Sequence, residues 1–582
     1  MAVVALCLPA VAHAGTPPFL SGSTPARAVA APVAAPPQLI PQPRVQPDSL
    51  DAEALPSRRL TPRVHFAPLG AREAPEATNV FEGLSYNDSG GDPPDVTIAA
   101  GAGDIVEMTN VVRRVWTAGG AVLQSSSALY QMFGTNNDLL SDPRVLFDTT
   151  SGRWFASVMD ISTGTIVVAA STTASPLAAW NTWTLSIPES DDCFDQPKLG
   201  SSDGMILVTA SAYSRREGLC AFVGFFYTGG VIFALNKQEL MSGAPARWSL
   251  WGPDTDYNIP VAAQDLSPST TAYAISNYSS SVGVFAISGT PPSATLATTF
   301  LHTSAFDNPP PAVQPGSAGI ATNDDRLLDA FWSNGNLWSS GNAACLQSDG
   351  LTHACARVVE VSTALGSLDV DTAVQEPGGD TYYPALRPDG SGNVVVVYGV
   401  SSPTVFPSVA VVVRGGDGTW SAPQLVRTGT VSLNLPRFGD YFGAARDTTL
   451  PNIVWIGGEY IGSGYGYQTA VGAVRTVQLA PAVAYGPSVA PGPTSATVNG
   501  FVDPQGADST YWFEYGGTTA YGHATVHLAA TAVGGRLPVS SILVGLAAGR
   551  TYHWRLVAAN DAGTTGGADQ QLRTAKPKPR QR

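Results

Sequence analysis

From about residue 90 to about residue 480 the chain repeats one order of apolar and polar positions about seven times. Each unit opens on a short, usually Pro-marked strand and turns at Gly, Asn or Asp. Val/Ile-rich second and third strands follow, then a looser fourth. First strands begin at Pro94-Asp95-Val96-Thr97, Asp142-Pro143-Arg144-Val145, Asp195-Gln196-Pro197-Lys198-Leu199, Asn258-Ile259-Pro260-Val261, Tyr383-Pro384-Ala385-Leu386 and Phe438-Gly439-Asp440-Tyr441. Arg326-Leu327-Leu328-Asp329 fills the remaining interval without a proline. The turns, such as Gly103-Asp104, Ser151-Gly152 and Asn334-Gly335, are residues that tolerate positive φ or bond their own backbone. Third strands are the clearest, among them Ile166 to Ala170, Val282 to Ile287 and Val409 to Val413. Many runs are apolar on both faces, as expected of strands sandwiched between neighbouring sheets.

A large β-sandwich also offers many short strands. Repetition in step over roughly 50–60 residues points instead to stacked four-stranded sheets around an axis. The expected fold is all-β: a β-propeller of about seven blades over 79–479, then a separate β-sandwich over 481–575. The last unit lacks a clear fourth strand, and a segment near Val80 to Leu84 is the expected substitute that closes the ring.

Residues 1–14 read as an export signal, with an apolar stretch from Val3 to Val11 and Ala12-His13-Ala14 as a small-x-small cleavage site. No Lys or Arg precedes the apolar run, which is too short to span a bilayer. Residues 15–78, rich in Pro and Ala, lack apolar periodicity and are expected to be disordered. Residues 576–582 form a basic tail. The expected location is secreted, without a membrane span.

The net charge of -14 and 13% charged residues argue against nucleic acid as a partner, because phosphate contacts need clustered Lys and Arg. Beyond the signal four cysteines remain: Cys193, Cys220, Cys345 and Cys355. Four cysteines allow three pairings, and nearest neighbours is the simplest. No pair has C-x-x-C spacing, which disfavours a zinc site.

Two resemblances add to this reading. Tyr511-Trp512-Phe513-Glu514-Tyr515-Gly516 and Leu546-Ala547-Ala548-Gly549-Arg550-Thr551-Tyr552-His553-Trp554-Arg555-Leu556 resemble a fibronectin type III domain. That resemblance implies a tyrosine corner at Tyr552, with its hydroxyl bonded to upstream backbone. The propeller is similar to the sialidase-like, Asp-box-bearing propellers of secreted bacterial proteins, on the strength of Gly416-Asp417-Gly418-Thr419-Trp420 followed by Ser421-Ala422-Pro423. In that family the Asp-box is a structural turn over a packed Trp. Sialidases also carry three arginines that clamp a carboxylate. Here Arg144 loosely matches the first, Lys198 stands where a second cation would be, and no third can be placed, so sialidase activity itself is not expected.

A propeller would bring the starts of its innermost strands to one funnel. Those positions carry the candidate catalytic carboxylates Asp142, Asp195 and Asp440 and the candidate ligand-binding residues Asp95, Arg144, Lys198, Tyr383, Arg437 and Tyr441. Asp92 and Asp95 are a candidate calcium pair, and no other cofactor is called for. Each Asp has a plainer role too, since Asp before a strand often bonds its own turn. The primary expectation is a secreted protein that binds a carbohydrate or cell-surface polymer at the funnel. The alternative is a glycoside hydrolase or lyase using the funnel carboxylates. Gly200-x-Ser202-x-Gly204 lies between strands, where a nucleophile elbow cannot form. The histidines are scattered, with His523 and His527 expected on one strand of the sandwich.

Overall fold

The computed structural model describes residues 16, 18, 20–30 and 64–576, apart from 137–138, 189, 215–225, 317–318, 434, 436, 477–479, 487–490, 505–507, 531–535 and 561. The export signal and most of the basic tail lie outside the described residues. The chain divides into two compact units, Met1–Thr448 with Val454–Val474, and Thr449–Ile453 with Arg475–Arg582. No described helix is long and apolar enough to cross a membrane.

The first unit consists of antiparallel four-stranded meanders, sheets A to G in chain order. Their innermost strands are Thr97–Gly101, Leu140–Asp148, Asp192–Ser201, Val261–Ala262, Leu327–Ser333, Asp380–Pro388 and Gly443–Arg446. Each of these packs against the next, and Gly443–Arg446 packs back on Thr97–Gly101. The ring is therefore closed around an axis, which is propeller architecture. Sheets C and E are also stitched together by Gln264–Asp265, which pairs in parallel with Ser201 and with Phe331–Trp332.

Both-face burial follows from this stacking. On Met205–Ser214, Ile206, Val208, Ala210 and Ala212 pack toward sheet B. Met205 and Leu207 pack toward sheet D. The period of two is intact, but each face meets a neighbouring sheet, so the strand is apolar throughout. Trp154, Trp338 and Trp455 are buried in these interfaces.

Sheet G takes its fourth strand from the N-terminal side of the ring: Glu76–Ser85 lies beside Gln468–Arg475. The seam between G and A is tight and partly polar. A Cβ on Gly443 would stand 2.7 Å from the Ile98 amide nitrogen. Fully buried Glu107 of sheet A accepts from the Leu84 amide at 3.0 Å and from the Thr469 hydroxyl.

The segment expected to be disordered contributes strands. Leu20–Thr24 extends sheet C, Arg27–Val29 extends sheet B, and His65–Phe66 pairs with Ser367–Val374 of sheet E. Outer strands present unpaired N–H and C=O groups, and short segments without strand periodicity can still satisfy them. Cys345 and Cys355 form a disulfide between adjacent strands of sheet E. Cys193 is disulfide-bonded, and Cys220 lies outside the described residues. The Asp-box-like turn has Asp417 accepting from the Thr419 amide at 3.0 Å, with Trp420 buried beneath.

The second unit has one sheet of Ala482–Tyr485, Ser495–Asp503 and Leu537–Val544, and another centred on Ser509–Gly516 and Thr551–Asn560. Val498, Phe513, Leu543, Trp554 and Leu556 form its core. The Ala547 amide donates to the Tyr552 hydroxyl at 2.8 Å. His523 lies in the short strand His523–Ala524, while His527 falls outside it and stacks on Trp512. The strand expected to hold both histidines is broken, because its two halves pair with different parts of Ser509–Gly516.

Candidate functional site

Three of the Pro-marked strand starts prove to be bulges. In sheets B, C and F the dipeptides Asp142-Pro143, Gln196-Pro197 and Tyr383-Pro384 stand where the register against the second strand slips. The residue before each proline is left-handed, with φ of +54°, +48° and +54°. Asp95 and Asn258 also have positive φ, at +53° and +50°. Such backbone costs on the order of 1–3 kcal/mol per non-glycine residue and persists only when its surroundings hold it. A bulge re-aims the side chain it carries, and the one in sheet B carries Asp142 toward Asp95 and Asp440.

An amide latch holds several of these bulges. Asn110, at the end of the second strand of sheet A, donates to Asp95 Oδ2 at 2.6 Å and accepts from the Asp142 amide at 2.8 Å. Asn342 accepts from the Tyr383 amide at 2.7 Å, and Asn277 from the Leu327 amide at 3.2 Å. The sequence reading missed these residues. Their signal is positional, an Asn after a small or hydroxyl residue late in the second strand or just past it, in Thr109-Asn110, Ser276-Asn277 and Gly341-Asn342.

Asp95, Asp142 and Asp440 come together. One carboxylate oxygen from each lies within 4.8 Å of the others, and the residues are 2%, 5% and 5% exposed. Their environments differ. Asp440 Oδ1 accepts from Asn323 at 2.7 Å and from Arg437, leaving Oδ2 outside those bonds. Asp95 accepts from the Asp440 amide at 2.8 Å as well as from Asn110. The Asp142 carboxylate has no hydrogen-bond partner among the described residues. Burial, then the facing charges of Asp195, Asp95 and Asp440, push Asp142 well above the usual carboxylate range. Burial, then Asp440, push Asp95 up to about 7.

Asp195 is half-buried on the next inner strand. Asp92 stands outside the trio, beside Arg437 and Asp440, and burial raises it to about 6. The carboxylates that converge are thus Asp95 with Asp142 and Asp440, in place of the expected Asp92–Asp95 pair. The trio can supply three of the six to eight oxygens that Ca²⁺ takes. A further carboxylate, Glu459, was not anticipated; it is fully buried and accepts from the Gly439 amide at 2.7 Å.

One layer further in, the Arg144 guanidinium lies 3.4 Å from the centroid of the Tyr441 ring and Lys198 Nζ 5.4 Å from it. Burial, then the neighbouring Arg144, depress Lys198 to about 7. The tyrosines are not open platforms for a sugar. Tyr383 is buried, stacked on Phe438, and donates to Ala321 O at 2.8 Å. Tyr441 is buried and donates to Pro143 O at 2.9 Å. Both rings were expected at the rim, but both are buried in the packing, Tyr383 from the bulge of sheet F and Tyr441 just before the inner strand of sheet G.

No known family matches this chain, and no curated protein does. Among solved structures it is similar to the α-L-arabinofuranosidase of Fusarium graminearum in complex with an iminosugar inhibitor, at 12% identity and TM-score 0.30, over 72% of this chain and 98% of that one. It is similar to the α-L-arabinanase of Cellvibrio cellulosa complexed with arabinohexaose, at 10% identity and TM-score 0.27, over 58% and 95%. A protein of unknown function from Dyadobacter fermentans aligns at 11% identity and TM-score 0.30, over 72% and 98%. At such TM-scores these likenesses decide neither fold nor function.

Proposed function

We propose that this protein is an exported glycoside hydrolase acting on a polysaccharide, built as a seven-bladed propeller over 79–479 and a fibronectin type III-like module over 481–575. The contrast between two neighbouring carboxyl groups carries the reading. The Asp142 carboxyl group is desolvated, crowded by like charge and without a hydrogen-bond partner among the described residues, the setting that keeps a carboxylic acid protonated for a leaving group. Asp440 has its charge met by Arg437 and Asn323 on one oxygen, which leaves the other for an anomeric carbon. One oxygen of each lies within 4.8 Å of the other, short of the ~6.5–9.5 Å separation that an inverting enzyme needs for its water and on the side of retaining glycosidases. Asp95 and Lys198 then set the charge around the pair. The Cys345–Cys355 disulfide and the signal-like residues 1–14 support export.

Convergence of a third carboxylate favours a second reading, in which the funnel binds a carbohydrate without cleaving it and the trio is held together by a cation. One assay separates the two. The purified chain is offered a panel of chromogenic glycosides and polysaccharides, with product release and retention on immobilised polysaccharide both recorded. Turnover that falls about 10²–10⁴-fold in Asp142→Asn supports hydrolysis with that residue as the acid. Retention without turnover by the unaltered protein replaces hydrolysis with binding. Neither retention nor turnover rejects both.

A further inference from the structure

Beneath the carboxylate trio the channel narrows to a cavity of about 30 Å³ bounded by Thr97, Arg144, Lys198, Asp329, Arg387 and Phe442 among others. That is room for one or two waters or a single monatomic ion. Its polar lining is unbalanced. Arg387 donates to Asp329 at 2.6 Å, so that pair is neutral. Arg144, 8% exposed, has Nε and Nη2 fully buried with no accepting protein group among the described residues. Lys198, 2% exposed, has only a long 3.5 Å contact to Gln196 Oε1. The Arg144 guanidinium and the Lys198 amine, both hydrogen-bond donors, thus face one small space beside the Tyr441 ring, and each guanidinium N–H left without an acceptor costs about 1–3 kcal/mol.

The charges of Asp142 and Asp195 bear on Lys198, but no carboxylate of the channel hydrogen-bonds to Arg144 Nε or Nη2. Asp440 is bonded to Arg437 and Asn323, and Asp95 to Asn110 and the Asp440 amide. Asp142 makes no hydrogen bond to either cation. We infer that the axial cavity is a binding site for a halide-sized monovalent anion, chloride in a biological setting, bridging Arg144 and Lys198. The inference does not depend on hydrolysis and survives if the funnel only binds.

Bromide tests it directly. In crystals of the unaltered protein soaked in sodium bromide, anomalous scattering is expected to place a peak within hydrogen-bond distance of Arg144 Nε or Nη2 and of Lys198. In solution, replacing sodium gluconate by sodium chloride at equal ionic strength is expected to raise the Tm by roughly 1–2 °C. Gluconate is too bulky to enter. Arg144→Met is expected to abolish that halide-specific increment. Absence of the bromide peak, or equal Tm in the two salts for the unaltered protein, overturns the proposal. The crystal experiment needs no variant, so a failure of Arg144→Met to fold leaves the proposal exposed to refutation.

Discussion

Asp92, Asp95 and Glu107 are carboxyl groups that the folded ring holds protonated further up the pH scale than the unfolded chain does. Burial is the first cause in each, and it raises them to about 6, 7 and 7 respectively. In the unfolded chain all three return to about 4. Between about pH 4 and 7 the native state therefore binds protons that the unfolded state has released, and unfolding stability falls as pH rises. Their stabilising share is complete below about pH 4 and lost once pH passes 7. Lys198, depressed to about 7, acts in the opposite sense only above that pH. The expected outcome is a Tm that declines from pH 5 to pH 7.5, followed by calorimetry at constant ionic strength. A Tm that climbs over this range contradicts the charge arrangement described for the channel.

At the scale of elements, the repeated unit is an inner strand whose left-handed bulge is latched by an amide on the preceding sheet. Asn342 and Asn110 hold equivalent bulges, but only Asn110 touches the trio. Replacing either by Ala leaves a buried backbone amide without its acceptor, at a cost of about 1–3 kcal/mol. Asn342→Ala is expected to show that loss in denaturant unfolding with turnover retained. Asn110→Ala is expected to lose stability to a similar degree and turnover as well, because Asp95 and Asp142 are both released. Equal activity in the two variants detaches the latch from the chemistry.

For the whole molecule, closure sets everything else. Glu76–Ser85 completes sheet G, and its Leu84 amide is bound to Glu107 of sheet A. Deleting residues 76–85 exposes the edge of Gln468–Arg475, removes buried Leu84 from the core and strips Glu107 of a donor. The shortened chain is expected to lose its cooperative thermal transition and to become sensitive to limited proteolysis across sheets G and A. A chain cut just before Glu76 is expected to keep the ring.

The strands, their turns and the four-beat order were legible because each depends on a few neighbouring residues: alternation, β-branched content, and Gly, Asn or Asp at the reversals. The strand starts were legible for the same reason; Asp142, Arg144 and Lys198 were found by reading the X-Pro starts, and Asp440 from its place in the repeat. What the burial of a residue does to its chemistry was not legible. Tyr383 and Tyr441 differ from a rim aromatic only in how the packed sheets bury them, and Leu20–Thr24 and Arg27–Val29 pair because distant outer strands offer edges. The meeting of Asp95, Asp142 and Asp440 spans nearly the whole ring in sequence. Strand propensity is local and survives in the unfolded chain, whereas distances among those oxygens exist only once the last sheet has packed against the first.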